Sequence, residues 1–324
     1  MNNRQGSASE KPVSIYFGEA LGRYGFGDGH PFGPDRIHAF WQETVKQGLD
    51  KKVLVATPQI CDEQALMAFH TQEYIERVKS QSHSGTGYLD GGDTPAFQGV
   101  YEAACTVAGS VLDGMHHILT GQHPKVFVPI AGLHHARRDS AAGFCVFNDA
   151  GVLIENLRTR HGKRRIAYVD IDAHHGDGVF YAFESDPELI FADIHEDGRY
   201  LYPGTGAIEE TGKGQARGTK LNVPLPPYAN DSDFHRVWPS VEDFIRQGKP
   251  ELIILQAGAD SIQGDPITHM AFTPGAHEYA ARQLSKIADE FCDGRFIALG
   301  GGGYNRTNLA LGWNAVVKAM LGEK

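Results

Sequence analysis

The chain has 324 residues, 41% hydrophobic and 22% charged, which is ordinary globular usage with material enough for one large α/β domain. A formal charge of −10 argues against direct nucleic-acid binding and suits cationic substrates by steering, or serves solubility alone. Four cysteines (Cys61, Cys105, Cys145, Cys292) without CxxC spacing exclude a disulfide framework and a zinc ribbon, and the absence of a long apolar run argues against a membrane span. A cytoplasmic protein is the expectation, and oligomeric state is not readable.

Residues 1–12 are polar, lack a signal-peptide core and read as a disordered tail, leaving 13–324 as a single domain. Strands are expected at 13–17 and 52–56, with helical patterns at 35–48, 62–80 and 94–120. The next apolar run, 125–130, leads into Leu133-His134-His135, and a helix is expected at 148–161. The run from Ile166 leads into Asp170-Ile171-Asp172-Ala173-His174-His175-Gly176-Asp177, and a short helix at 178–184 follows. Residues 189–191 lead into Asp193-Ile194-His195. The stretch 198–222 holds six glycines and reads as a long functional loop or strand–loop excursion. After a helix at 231–247, the run 252–256 leads into Gly258-Ala259-Asp260. Thr273 and Pro274 make a good N-cap and first helical residue for a helix at 274–292. The run 296–299 leads into Gly300–Gly303 and Tyr304, and a helix at 307–321 closes the chain. Alternation of strands and helices predicts βαβ units around a parallel sheet, whose ligands bind outside the carboxyl ends of the strands. Five distant strand ends therefore converge on one mouth.

Carboxylates and imidazoles packed so densely after apolar residues are costly unless paired or bound to a metal. Asp172 and His174, two apart, face the same way in extended geometry, and Asp260 on another strand end closes a three-ligand set with room for water. Each Asp alone would pass for a helix cap; the joint pattern favours a metal. His134 and His135 are candidates for acid–base work, with Asp170 and Asp177 as the partners that fix their tautomers. The other doublet, His116-His117, lies in a helical pattern and reads as helix surface. Tyr304 after four glycines suits a phenol aimed at a developing oxyanion, since the run lacks both GxGxxG spacing and a P-loop lysine. Gly143-Phe144-Cys145 and Tyr202-Pro203-Gly204 set aromatic rings on glycine turns, as walls of a narrow channel or as ordinary core aromatics. Cys145 reads as a small buried wall residue.

These motifs, with Gly143–Asp149 and Tyr202–Gly206, resemble the zinc-dependent histone deacetylase superfamily, which includes acetoin-utilisation proteins and acetylpolyamine amidohydrolases. The likeness runs from Gly29-His30-Pro31 to Trp313. It implies the arginase/deacetylase-like α/β fold, an eight-stranded parallel sheet sandwiched by helices. It implies Zn²⁺ (alternatively Fe²⁺) on Asp172, His174 and Asp260, with His135 as general base and acid and His134 as its electrostatic partner. Asp170 and Asp177 would then stand behind the histidines, and Tyr304 would polarise the carbonyl. The resemblance also implies K⁺ near Asp170, Asp172, His174, Asp193 and Ile194, although relatives often carry Ser where this chain has Asp193. Asp93 matches a loop aspartate that holds a substrate's backbone amide. Leu133 replaces Pro-Gly, Trp or Gly of relatives, and Ile267 stands where polyamine-selective relatives can carry glutamate.

The reading is a metal-dependent deacetylase that removes acetyl or related acyl groups from acetyl-lysine side chains, in a peptide or protein, or from acetylated polyamines. Channel and rim contacts are expected from Asp93, Gly143, Phe144, Tyr202 and Ile267. Two rivals are a binuclear ureohydrolase on the same fold, disfavoured by the order of ligands, and a binding module that has lost turnover.

Overall fold

The computed structural model describes residues 12–27 and 29–323. The expected tail lies outside the described residues except for Pro12. Among the described residues, eight strands form one sheet: β1 (Val13–Tyr16), β2 (Leu54–Ala56), β3 (Lys125–Val128), β4 (Ile166–Asp170), β5 (Leu189–Glu196), β6 (Lys220–Leu225), β7 (Leu252–Gln256) and β8 (Phe296–Leu299). Their order is β2-β1-β3-β8-β7-β4-β5-β6, and every pairing is parallel. The central strands β4 and β7 are buried at every position, as a sheet covered on both faces requires.

Among the described residues, ten helices surround the sheet: α1 (Glu19–Gly22), α2 (Arg36–Lys46), α3 (Glu63–Leu66), α4 (Gln72–Ser84), α5 (Val100–Leu119), α6 (Asp149–His161), α7 (Asp177–Ala182), α8 (Asp231–Gly248), α9 (Pro274–Phe291) and α10 (Arg306–Leu321). Thr273 caps α9 as expected, its side chain accepting the Gly275 N–H. The helix expected over 62–80 is two helices, because Thr71 accepts the Tyr74 N–H and starts α4 afresh. The helix expected from residue 94 begins at Val100, after Gly99 in a left-handed turn at φ 91°. The glycine-rich stretch runs at its end into β6, residues 220–225, which pairs along β5 at the sheet edge.

The register sets the site. Val128 pairs with Leu299, Leu299 with Gln256, Gln256 with Asp170 and Asp170 with Asp193. These residues form one lateral row across five adjacent strands, β3-β8-β7-β4-β5. The outgoing loops of β3, β8, β7 and β4 carry four of the clusters picked out above, while the fifth, Asp193-Ile194-His195, lies on β5 itself, which runs on to Glu196. Among the described residues, no helix is long and apolar enough to cross a membrane.

Candidate functional site

Beyond the row, β4 gives way to a bend, so Asp172 and His174 are not on an extended strand as expected. The bend still converges them. His174 Nδ1 lies 3.1 Å from Asp172 Oδ1 and 3.1 Å from Asp260 Oδ2, Asp260 arriving from a single turn after β7. All three are buried, and among the described residues they are the one group of three or more such side chains whose ligand atoms lie within 4.8 Å of one another. Two backbones close around the carboxylates. A Cβ on Gly258 would stand 2.0 Å from Asp172 Oδ2, and one on Gly302 would stand 2.1 Å from Asp260 Oδ2.

The three side chains of this triangle shift one another's protonation. Burial raises the Asp260 carboxyl to about 7, aided by the Asp172 charge and opposed by His174. Burial also works against Asp172, but His134, His174 and Gln256 outweigh it and hold that carboxyl well below the usual range. Burial opposes charge on His174 too, yet hydrogen bonds to Asp172 and Asp260 raise it to about 10. Two oxygens and one imidazole nitrogen in a buried triangle match the ligand types and count of a three-ligand zinc centre.

The two histidines sit beside it. His134 Nδ1 is 2.8 Å from Asp170 Oδ2, and His135 Nδ1 is 2.7 Å from Asp177 Oδ1. Their Nε2 atoms approach within 3.1 Å of each other, so both rings aim at one point. Burial, with the neighbouring His134, pushes His135 down to about 4 against the pull of Asp177. His135 packs so close to Gly143 that a Cβ there would meet its ring at 2.5 Å. Gly143 and Phe144 both take positive φ, 52° and 67°, costly for phenylalanine. That turn is held by Tyr24, whose hydroxyl donates to the Phe144 carbonyl at 2.7 Å, and by the Thr94 hydroxyl, which accepts the Phe144 N–H at 3.1 Å.

A cavity of about 310 Å³ opens over these groups, walled by Phe144, Tyr202, Leu201 and Phe32, with Asp93 and Ile267 among its other lining residues. His134, His135, Asp172, His174 and Tyr304 line it as well. The Tyr304 N–H donates to Asp265 at 2.8 Å, and burial with the charges of Asp260 and Asp172 keeps the phenol protonated. Cys145 is buried in the wall, its thiol pushed up by burial. His116 and His117 lie on α5 away from this cavity, His116 exposed.

Asp193 and Ile194, expected near K⁺, lie on β5. Asp193 Oδ1 accepts from His195 Nδ1 at 2.8 Å and Oδ2 accepts the Gly176 N–H at 2.9 Å. Each oxygen thus carries one hydrogen bond and keeps a second acceptor site. Ile194 is apolar and buried.

Sequence reasoning missed four supporting residues. Gln256 donates to Asp172 Oδ2 at 2.8 Å, and Asp149 accepts the N–H groups of Gly132 and Leu133 at 2.9 Å, shaping the histidine loop. Asp265 holds Tyr304. Arg36, fully buried, donates to the carbonyls of Gly301 and Gly303 at 2.6 and 3.0 Å. A polar residue closing the apolar run of β7 was a readable signal for Gln256; Arg36 resembled any helix-surface arginine.

The histone deacetylase domain model matches residues 30–320. This chain belongs to the histone deacetylase family. It is 36% identical over 292 residues to the acetoin utilization protein AcuC of Bacillus subtilis, covering 87% of this chain and 75% of that one. It is 32% identical over 325 residues to histone deacetylase clr6 of Schizosaccharomyces pombe, covering 97% and 78%. Among solved structures, the HDA15 HD domain superposes with a TM-score of 0.88 at 28% identity, over 97% of this chain and 90% of that one. The eight-stranded parallel α/β architecture is thus the deacetylase fold. Family membership supports a deacetylase hydrolase in general terms.

Proposed function

We propose that residues 13–324 form one deacetylase domain, a cytoplasmic metal-dependent amidohydrolase that removes acetyl groups from lysine side chains or related acylated amines. The observation that carries this reading is the Asp172–His174–Asp260 triangle beside two carboxylate-backed histidines and Tyr304 around one cavity. Zn²⁺, or Fe²⁺, held by those three ligands would supply Lewis-acid polarisation of the acyl carbonyl and acidification of water.

The chain's own groups do the rest. Asp177 holds the Nδ1 proton of His135, which leaves Nε2 as the acceptor for a proton of the attacking water. The same atom then returns a proton to the leaving amine nitrogen. His134, held by Asp170, points its Nε2 at the same place and shapes the field there. The Tyr304 hydroxyl donates to the acyl oxygen as negative charge gathers on it. Phe144 and Tyr202 confine a methylene chain and exclude water. At the mouth Asp93 accepts a substrate N–H, and Ile267 brings no charge, so acetyl-lysine peptides are favoured over acetylpolyamines. A second reading, acetylpolyamines, draws on that Asp93 carboxylate, which could also pair with an ammonium.

The test is turnover by metal-loaded protein of acetyl-lysine peptides beside N-acetylputrescine and N⁸-acetylspermidine. We expect higher kcat/KM for the peptides, reduced by about 1.5–3 kcal/mol in Asp93→Ala. A preference for polyamines overturns the substrate and leaves the chemistry standing. Full metal occupancy without turnover of any substrate points to a binding module instead. Full occupancy with normal turnover in His174→Ala removes the metal assignment.

A further inference from the structure

A second groove, about 520 Å³, opens sideways from the channel mouth and shares Asp93, Gly143 and Tyr202 with it. Its remaining polar lining comes from Asp90, Ser140 and Arg137. The charges there are not equally free. Asp90 is consumed by its own loop: Oδ1 accepts the N–H groups of Gly92, Asp93 and Thr94 at 3.0, 3.1 and 2.9 Å, and Oδ2 accepts the Thr94 hydroxyl. Asp93 takes a long contact from the Thr94 hydroxyl, 3.5 Å, and its carboxyl is raised to about 6 by partial burial and by its hydrogen bond to, and the charge of, the adjacent Asp90.

Across the groove, Arg137 is fixed by its backbone N–H on the Ser140 carbonyl at 2.9 Å. Its side chain is 59% exposed, and among the described residues its guanidinium has one hydrogen-bond partner, Asp177 Oδ2 at a long 3.4 Å. Its neighbour Arg138 shows the contrast, bonded to Glu155 at 2.6 Å and to the Phe69 carbonyl at 3.1 Å while stacked on the Phe69 ring. Arg137 therefore keeps most of a planar donor fork, and such a fork selects carboxylates.

We propose that this groove is a carboxylate subsite: the substrate places its acyl-amine arm in the channel, an N–H on Asp93 and a carboxylate on Arg137. This rests on the deacetylase reading and narrows it. A polyamine would bring only cations towards Arg137. The carboxylate has two sources: the α-carboxylate of the acylated residue itself, or the side chain of an acidic residue that follows it.

Two matched pairs separate them. One is Nα,Nε-diacetyl-lysine as free acid and as amide; the other is a peptide with Glu or Gln directly after the acetyl-lysine. We expect kcat/KM about tenfold higher for the carboxylate member of one pair, carried mainly by KM, as a charge-assisted hydrogen bond made before the chemistry requires. Arg137→Gln should bring that ratio to about one, and Arg137→Lys should restore part of it. Taking the ratio within each variant cancels any effect that Arg137 has on His135 through Asp177. Ratios near one in the native protein, or unchanged in Arg137→Gln, overturn the subsite and leave deacetylation intact. No turnover of any of the four compounds by metal-loaded protein overturns both.

Discussion

The Gln256 amide donates to Asp172 Oδ2 at 2.8 Å while its own oxygen accepts the Gly258 N–H at 2.7 Å. One side chain at the end of β7 thus orients a ligand on the β4 loop and shapes the backbone that leads to Asp260. Replacing it with leucine leaves Asp172 Oδ2 with the Gly302 N–H at 2.9 Å alone. Gln256→Leu should keep the fold and weaken metal binding about 10–100-fold, the usual scale for groups behind a ligand. Chelator competition measures it, and an unchanged affinity contradicts the role.

Tyr304→Phe removes only a hydroxyl. Its backbone hold on Asp265 persists, so fold and metal content should be normal. Turnover should fall roughly 10²-fold or more, the cost of one oxyanion donor. A variant within a few-fold of native kcat would mean that the phenol is wall, not donor.

The two histidine doublets offer a paired comparison. His135→Ala should lose at least about 10²-fold in turnover, because a positioned proton-transfer group contributes about 10²–10⁴-fold. His116→Ala, an exposed change on α5, should be nearly silent. Equal damage from both would show that the wrong doublet has been chosen.

Acid should loosen the molecule through His70. Its Nε2 accepts the Asn148 N–H at 3.0 Å, its Nδ1 faces the Arg138 carbonyl at 3.3 Å, and burial pushes its pKa down to about 3 from 6.5. Folding favours the neutral ring, so this stability is present above about pH 6.5 and is lost as pH falls from there through about 3. Asn148 also donates to the Ala136 carbonyl at 2.8 Å, which ties the loss to the loop that carries His135. Tm should drop between pH 7 and 4.5 more steeply in the native protein than in His70→Gln. Parallel curves would exclude His70 as a source.

Much of this was legible in the sequence because the chemistry is dense and follows apolar runs. Asp170 to Asp177 could be read as a site since so many charges have no other reason to be buried. The bounds of β7 and β8 came out as expected because their residues are apolar but for the closing Gln256. The same logic hid the rest of β5: Asp193, His195 and Glu196 are buried strand residues that look like loop. It hid β6 too, where Lys220 is buried with its ammonium on the carbonyls of Asp186 and Leu189 at 2.8 Å. Arg36 and Asp149 escaped because what they hold is backbone, and sequence does not show which carbonyl or amide lies opposite.

The lateral row Val128, Leu299, Gln256, Asp170, Asp193 makes strand alignment itself a determinant of chemistry. A slip of one residue between β4 and β7 would displace one loop relative to the other by about 3.3 Å and turn its side chains over. That exceeds the 3.1 Å now separating His174 Nδ1 from Asp260 Oδ2. Ile254 and Leu255, deep in the sheet and remote from any substrate, are therefore guardians of the triangle. Core mutations there would surface first as an empty centre in a chain that still looks folded.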